Sequence, residues 1–270
     1  MAVQAGSAGH GRRRPPPPWV LGVAGLLALG AVLEIVPRVG LVSPRYLPPA
    51  SEMVRALVDE AATAEFWSAV RATVSAWALG LLIAVVAGIV VGVLIGSVGV
   101  LRRATQSTIE FLRPIPSVAL IPLAVLLFGT DMRSTLLLVV YASFWQVLIQ
   151  VLHGVRDIDP VARETAHSYR FSRWGEIRYV AWPTALPYIV TGVRLAAAVA
   201  LILTITAELV IGGEGLGNEI GIAQSSGAVP QMYAIVLMTG LIGVLVNLLA
   251  RLLERRTLHW HASVRGEVPV

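Results

Sequence analysis

Few residues in this chain are placed to do chemistry. The five histidines are His10, His153, His167, His259 and His261. Only His259 and His261 are close enough to share a metal ion, and no carboxylate or thiol cluster joins them to complete the three or four ligands such a site needs. There is no cysteine, which removes thiolate metal sites and disulfides. All 21 basic residues are arginine and none is lysine. A phosphate-cradling G-x-x-x-x-G-K-[ST] loop therefore cannot exist in this chain. No Ser/His/Asp or H-E-x-x-H pattern stands out either. The expectation is no catalytic residue, no metal and no cofactor. Two features remain. Glu208 lies in a long apolar run, where a carboxylate costs about 2.5–3.5 kcal/mol at mid-membrane unless it faces protein or a cavity. The stretch His153–Pro187 concentrates charge, small residues and aromatics between two such runs.

The elements that must position these residues follow from composition. Apolar side chains make up 56% of the chain and charged ones 14%, against about 25% charged in a soluble domain. Charge-free blocks recur that match the roughly 20 residues a helix needs to cross a bilayer. The chain reads as an all-α membrane protein with six transmembrane helices. The spans are 19–36, 74–98, 108–129, 134–152, 188–211 and 231–250. Gly88, Gly92 and Gly96 in the second permit close helix contact. Pro114, Pro116 and Pro122 in the third predict a kink with its freed carbonyls buried in protein. Residues 51–71 have the spacing of an amphipathic helix lying on the membrane surface. Residues 1–18, basic and then pure proline, read as a disordered cytoplasmic tail, 19–252 as the transmembrane domain and 253–270 as a second cytoplasmic tail. With the N-terminus inside, sixteen arginines fall at or near the inner face and five outside, so the positive-inside rule places both termini in the cytoplasm. Arginines between apolar blocks indicate topology; nucleic acid would need them on one surface with stacking aromatics, and it is not expected as a partner.

The long loop between the fourth and fifth spans has internal structure. Asp159 followed by Pro160 is an N-cap and first-turn pair, predicting a helix to about Tyr169. A second helix is expected from Ser172, with Glu176 in its first turn. Within this loop, Glu164-Thr165-Ala166, then Arg170, then Val180, Trp182 and Pro183 resemble the EAA loop of ABC importer permeases. The stretch Leu112-Arg113-Pro114-Ile115-Pro116 through Ala119 and Pro122 is similar to a signature of the sulfonate, taurine and nitrate branch of those permeases. Gly215-Leu216-Gly217 is similar to that branch's Gly-Leu-Gly loop. The resemblance covers roughly residues 45–255.

This resemblance implies a permease subunit in the bacterial inner membrane. Its partners would be ABC ATPase subunits, an extracytoplasmic solute-binding protein and a second permease copy, with the lipid bilayer around it. Glu164, Thr165, Ala166, Ser168, Arg170 and Phe171 would contact the ATPase, with Glu164 capping or pairing with an arginine. The solute would be a small oxyanion such as a sulfonate, taurine or nitrate. Where the family has glycine this chain has Arg170: either the turn does not need positive φ and the guanidinium pairs with an acidic group on the ATPase, or coupling is impaired, and the intact helix signals on both sides favour the first. Glu208, Pro114, Pro116 and Pro122 are the candidates for the translocation path, although Glu208 could equally lie near enough to the outer interface to be hydrated. Arg194 is expected to extend to the inner interface. An ion-gradient-driven transporter is the alternative; it predicts an internal inverted repeat and several mid-membrane charges, and neither is evident.

Overall fold

The computed structural model describes residues 17–259. Most of the expected tails, including His10 and His261, lie outside this range. Among the described residues the chain is entirely helical. It divides into two compact units, residues 1–55 and 56–270.

In the first unit, α1 (Pro18–Arg38) is an apolar helix that exposes Leu21, Leu26, Leu27 and Leu29. Its Glu34 carboxylate accepts hydrogen bonds from the Ser51 amide (2.9 Å) and hydroxyl (3.0 Å) and pairs with Arg38 at 2.6 Å. The Ser51 amide is one of the unpaired donors at the start of α2 (Ala50–Ala61), so Glu34 caps that helix from a distance in sequence.

The second unit is built on α3 (Ala64–Ser97), α6 (Met132–Arg156) and α9 (Trp182–Ile211). The expected surface helix 51–71 is two helices. α2 ends at Ala61, and Thr63 accepts from the Phe66 amide to start α3, so residues 64–71 belong to a membrane helix. Thirty-four residues give α3 a length of about 51 Å at 1.5 Å per residue. That exceeds the roughly 30 Å hydrocarbon core, which is why α3 can carry Glu65 and Arg71 beyond its charge-free part.

The glycines of α3 form a seam with valines of α6. A Cβ on Gly80 would lie 2.6 Å from Val139, on Gly88 2.7 Å from Val147, on Gly92 2.7 Å from Val151 and on Gly96 2.9 Å from Val155. The offset between partners is the same at every step, and Ala84 and Ser143, at that same offset, are both fully buried. Numbers rise together along both helices, so α3 and α6 run parallel. Gly154 meets Ala185 while Gly192 meets Gln150, so α9 runs antiparallel to α6. α11 (Val229–Thr257) returns along α9: Arg194 pairs with Glu254 at 3.1 Å, and Gly243 faces Leu201 further along. Arg194 is thus held by a carboxylate of the last helix and by Asn247 (3.5 Å), where free extension to the interface was expected.

Parallel α3 and α6 require the chain between them to cross back. That crossing is the third span, bent far more than a kink. α4 (Gly99–Leu112) and the following helical stretch Ser117–Phe128 meet at 83°. The second arm is a 3₁₀ turn (Ser117–Leu120) leading into α5 (Ile121–Phe128). α4 also begins at Gly99, ahead of the expected Thr108. Pro116 cannot donate to the Leu112 carbonyl, and the Tyr141 hydroxyl of α6 does so at 2.7 Å. Five helices among the described residues are long and apolar enough to cross a membrane, and the bent pair makes six.

Leucine at Gly92 would press into Val151 and Leu148 along the seam. Gly92→Leu is expected to destabilise the folded chain by about 1–3 kcal/mol, and Gly92→Ala by less. Thermal unfolding in one detergent, followed by size-exclusion chromatography, measures the difference; a Gly92→Leu protein as stable as the parent would refute the seam.

Candidate functional site

The helix directions sort the connections onto two faces. The ends of α3, α6 and α11 share one face with the start of α9; Gly129–Asp131 and the segment after α9 lie on the other.

On the first face, α7 (Pro160–Ser168) starts where the sequence places it, with the Asp159 side chain accepting from the Val161 amide at 2.8 Å. Its end is a Schellman turn. The Phe171 amide donates to the Ala166 carbonyl and the Arg170 amide to the His167 carbonyl, both at 2.9 Å. Arg170 occupies the left-handed position with φ 55°. The turn therefore does need positive φ, contrary to expectation, and it holds it with a residue that pays about 1–2 kcal/mol for the close approach of Cβ to a carbonyl oxygen.

The second expected helix is a single turn, α8 (Arg173–Glu176), capped by the Ser172 hydroxyl. A π-helical turn, Ile177–Ala181, joins it to α9 with no loop between. The fifth membrane helix is therefore continuous from Trp182, ahead of the expected Tyr188. Glu176 ties the loop together, pairing with Arg163 at 3.0 Å and lying 3.7 Å from His167. This carboxylate makes the pairing with arginine inside the loop; Glu164 is exposed, and among the described residues no ion pair engages it. Thr165, Ser168, Arg170 and Phe171 are exposed. Ala166 is not: at 5% exposure it sits on the inner stripe of α7. Val161, Tyr169 and Trp174 join the exposed surface, and sequence reasoning missed them. Their apolar character signals a surface that prefers a partner to water.

On the opposite face, Glu208 is buried at 2% exposure and faces protein, not open solvent. The Thr73 hydroxyl donates to its Oε2 at 2.8 Å and the Gly217 amide at 3.0 Å, while the Leu216 amide donates to Thr73 at 2.8 Å. Leu216 and Gly217 are the first residues of α10 (Leu216–Ser225). Glu208 and Thr73 thus satisfy two donors that every helix start leaves unpaired. Both glycines of the Gly-Leu-Gly loop are needed here. Gly215 has φ 142°, and a Cβ on it would collide with the Glu208 carboxylate; one on Gly217 would collide with the Ile205 carbonyl. Glu219, in the first turn of α10, is held above the usual carboxylate range by burial and then by the charges of Glu65 and Glu60. Glu208 also lines a cavity of about 350 Å³ with Thr130, Asp131, Thr135 and Glu214. The three prolines stay near the bend: Pro114 lines a cavity between α4 and α6, Pro116 precedes the 3₁₀ turn and Pro122 opens α5. They are not brought together with Glu208.

Residues 64–259 match the family described as binding-protein-dependent transport system inner membrane component. The taurine transport system permease protein of Escherichia coli is 32% identical over 250 residues, covering 91% of each chain. The nitrate import permease protein of Leptolyngbya laminosa is 28% identical over 191 residues, 71% of this chain and 68% of its own. Among solved structures, a chain of a bacterial alginate ABC transporter bound to its alginate-pentasaccharide-loaded periplasmic protein superimposes with TM-score 0.63 at 17% identity, covering 88% of this chain and 95% of that one.

Arg170→Gly removes the Cβ conflict and is expected to stabilise the closed turn by about 1 kcal/mol, less what glycine loses in the open chain. Hydrogen exchange at the Arg170 and Phe171 amides should slow by up to about fivefold. Faster exchange in the glycine variant would show that the arginine side chain, and not backbone strain, decides this turn.

Proposed function

Because this chain belongs to the family of binding-protein-dependent transport system inner membrane components, we propose that the solute it passes, as the permease subunit of an ATP-driven ABC importer, is a small oxyanion. The relatives named for taurine, a sulfonate, and for nitrate share that chemistry. ATP hydrolysis belongs on this reading to separate subunits, which dock on Glu164, Thr165, Ser168, Arg170 and Phe171 together with the exposed Val161, Tyr169 and Trp174. A solute-binding protein delivers from the opposite face, and a second copy of the chain completes the path. Pro114, Pro116 and Pro122 flank that path at the bend of the third span. Glu208 serves it by fixing the Gly-Leu-Gly loop at the outer mouth.

The observation that carries the coupling role is the bracing of α7. A short helix closed by a Schellman turn and tied through Glu176 to the start of a membrane helix moves as a rigid body, and rigid-body motion is what a transmitted conformational change requires. A free loop would absorb the displacement.

Cutting the brace tests it. In proteoliposomes containing the chain, its ATPase and a loaded binding protein, Glu176→Ala is expected to lower ATP-driven uptake of labelled taurine or nitrate by about fivefold or more. The amount of assembled complex should not change. Full uptake by Glu176→Ala, or ATP-driven uptake by the chain without an ATPase subunit, would sink the reading.

The face bearing α7 carries Arg102, Arg103, Arg156, Arg163, Arg170, Arg173, Arg178, Arg251, Arg255 and Arg256, and the other face of the second unit only Arg71 and Arg133. The positive-inside rule puts the α7 face in the cytoplasm. With no native cysteine to remove, Ser168→Cys should label with an impermeant maleimide only after cells are opened, and Ser226→Cys in intact cells. The reverse pattern would invert the topology.

A further inference from the structure

The cavity between α4 and α6, on the face that carries α7, has no part in the coupling contacts above. It holds about 580 Å³. Arg102, Gln106 and Glu110 recur at helical spacing along α4 and form one wall with Arg113 just past its end; His153 and Arg156 of α6 form the other. The apolar floor comes from Ile95, Ile109 and Leu152. The Gln106 amide already donates to the Glu110 carboxylate at 2.9 Å. Among the described residues no ion pair engages Arg102, Arg113 or Arg156. Three guanidiniums therefore face a cavity with a single carboxylate, and that carboxylate is hydrogen-bonded to its neighbour.

Arginines placed only to satisfy the positive-inside rule need no common direction. Here they share one: Arg102 lines the cavity and Arg103, next in the chain, does not. The site is also built. The Tyr141 hydroxyl pins the Leu112 carbonyl beside Arg113 at 2.7 Å, and Trp145, Leu148 and Leu152 of α6 pack with Ile95 beneath it.

We propose that this cavity binds an oxyanion group, a phosphate or a sulfonate, carried on a short apolar stem. Guanidinium forks match such groups in pairs of parallel hydrogen bonds, and the floor accepts the stem. Two sources offer this chemistry. One is the headgroup of an anionic phospholipid, held between membrane helices on the cytoplasmic side. The other is the transported anion on its way out, and that source alone rests on the oxyanion reading given above. A second cavity, of about 840 Å³, shares Arg102 and Arg156 and reaches Arg163 and Glu176. An anion held at these arginines therefore lies next to the brace of α7.

The test uses the full chain in nanodiscs and two probes. Native mass spectrometry reads retention of phosphatidylglycerol against phosphatidylethanolamine. Calorimetry with ethanesulfonate, in nanodiscs of zwitterionic lipid only, reads the solute. The double variant Arg102→Gln/Arg156→Gln is compared with Arg251→Gln/Arg255→Gln, which removes the same charge from the same face outside the cavity. We expect at least one probe to bind, and the cavity variant to lower its affinity about tenfold or more, with the control within about twofold. Phosphatidylglycerol lost from the cavity variant assigns the site to lipid; ethanesulfonate lost from it assigns the site to the solute. Arg113→Gln, at the bend and outside any helix, repeats the comparison should the double variant fail to fold. No preference for either anion, or equal loss in the cavity variant and the control, overturns the proposal. Uptake of taurine by the parent chain is scored separately, so a failed site and a failed oxyanion assignment give different results.

Discussion

The parallel seam between α3 and α6 is the constraint on which the other features depend. Lipid tails are as apolar as leucine, so nothing like the hydrophobic effect pushes two membrane helices together; close packing must do it. Glycine at Gly80, Gly88, Gly92 and Gly96 lets the valine side chains of α6 sit against the α3 backbone. Once those helices are parallel, the residues between them have to return across the membrane. Sequence alone reads a kinked span over 108–129, and α4 extends it back to Gly99. The seam leaves the crossing as the arrangement that joins the ends. It also fixes which connections share a face, and so brings α7 to the arginine-rich side and the Gly-Leu-Gly loop to the other.

A second logic recurs at three breaks in the helices. Backbone groups freed within a bilayer have no water to turn to, and each costs several kcal/mol if left alone. This chain repairs them with side chains brought from elsewhere in the sequence. Tyr141 takes the Leu112 carbonyl that Pro116 cannot serve. Thr73 and Glu208 take the first amides of α10. Glu34 takes the Ser51 amide at the start of α2. The carboxylate in the fifth span, which hydropathy marks as an anomaly, is thereby placed as a helix cap through Oε2, while its buried Oε1 has no partner among the described residues.

This logic also separates what the sequence made legible from what it did not. Local chemistry was readable: Asp159-Pro160 starts α7 and Ser172 starts α8 because each cap bonds within three residues of itself. The length and apolarity of the spans were readable for the same reason. The family resemblance, drawn from residues 112–122, 164–183 and 215–217, agreed with the family match over residues 64–259. What escaped was long-range. Thr73 and Glu208 are 135 positions apart, and a threonine early in an apolar helix gives no sign of its partner. Glu176, eligible as a first-turn acid, was not recognisable as the brace because Arg163 and His167 meet it only after the chain turns. The turn itself misled for a different reason. Arginine at position 170 argues locally against a left-handed residue, yet the two hydrogen bonds of the Schellman closure hold it there.

The same elements suggest how the two faces communicate. The π-turn and α9 continue from α8 without a loop, and α9 ends three residues after Glu208. Thirty residues of helix span about 45 Å at 1.5 Å per residue. A displacement of α7, passed through Glu176 to the start of this helix, therefore has one continuous element to travel along before it reaches the carboxylate that holds the Gly-Leu-Gly loop. Two places along it are softer than the rest. The π-turn carries a wider hydrogen-bond register than an α-helix and commonly marks functional points. Pro187 lacks the amide that would bond back to Pro183, so the helix can bend there. The π-turn precedes α9 and Pro187 lies in its second turn, both close to the loop. Gly154 meets Ala185 between them and Gly192 meets Gln150 beyond them, so close contact with α6 begins before Pro187 and holds α9 against the seam that organises the unit.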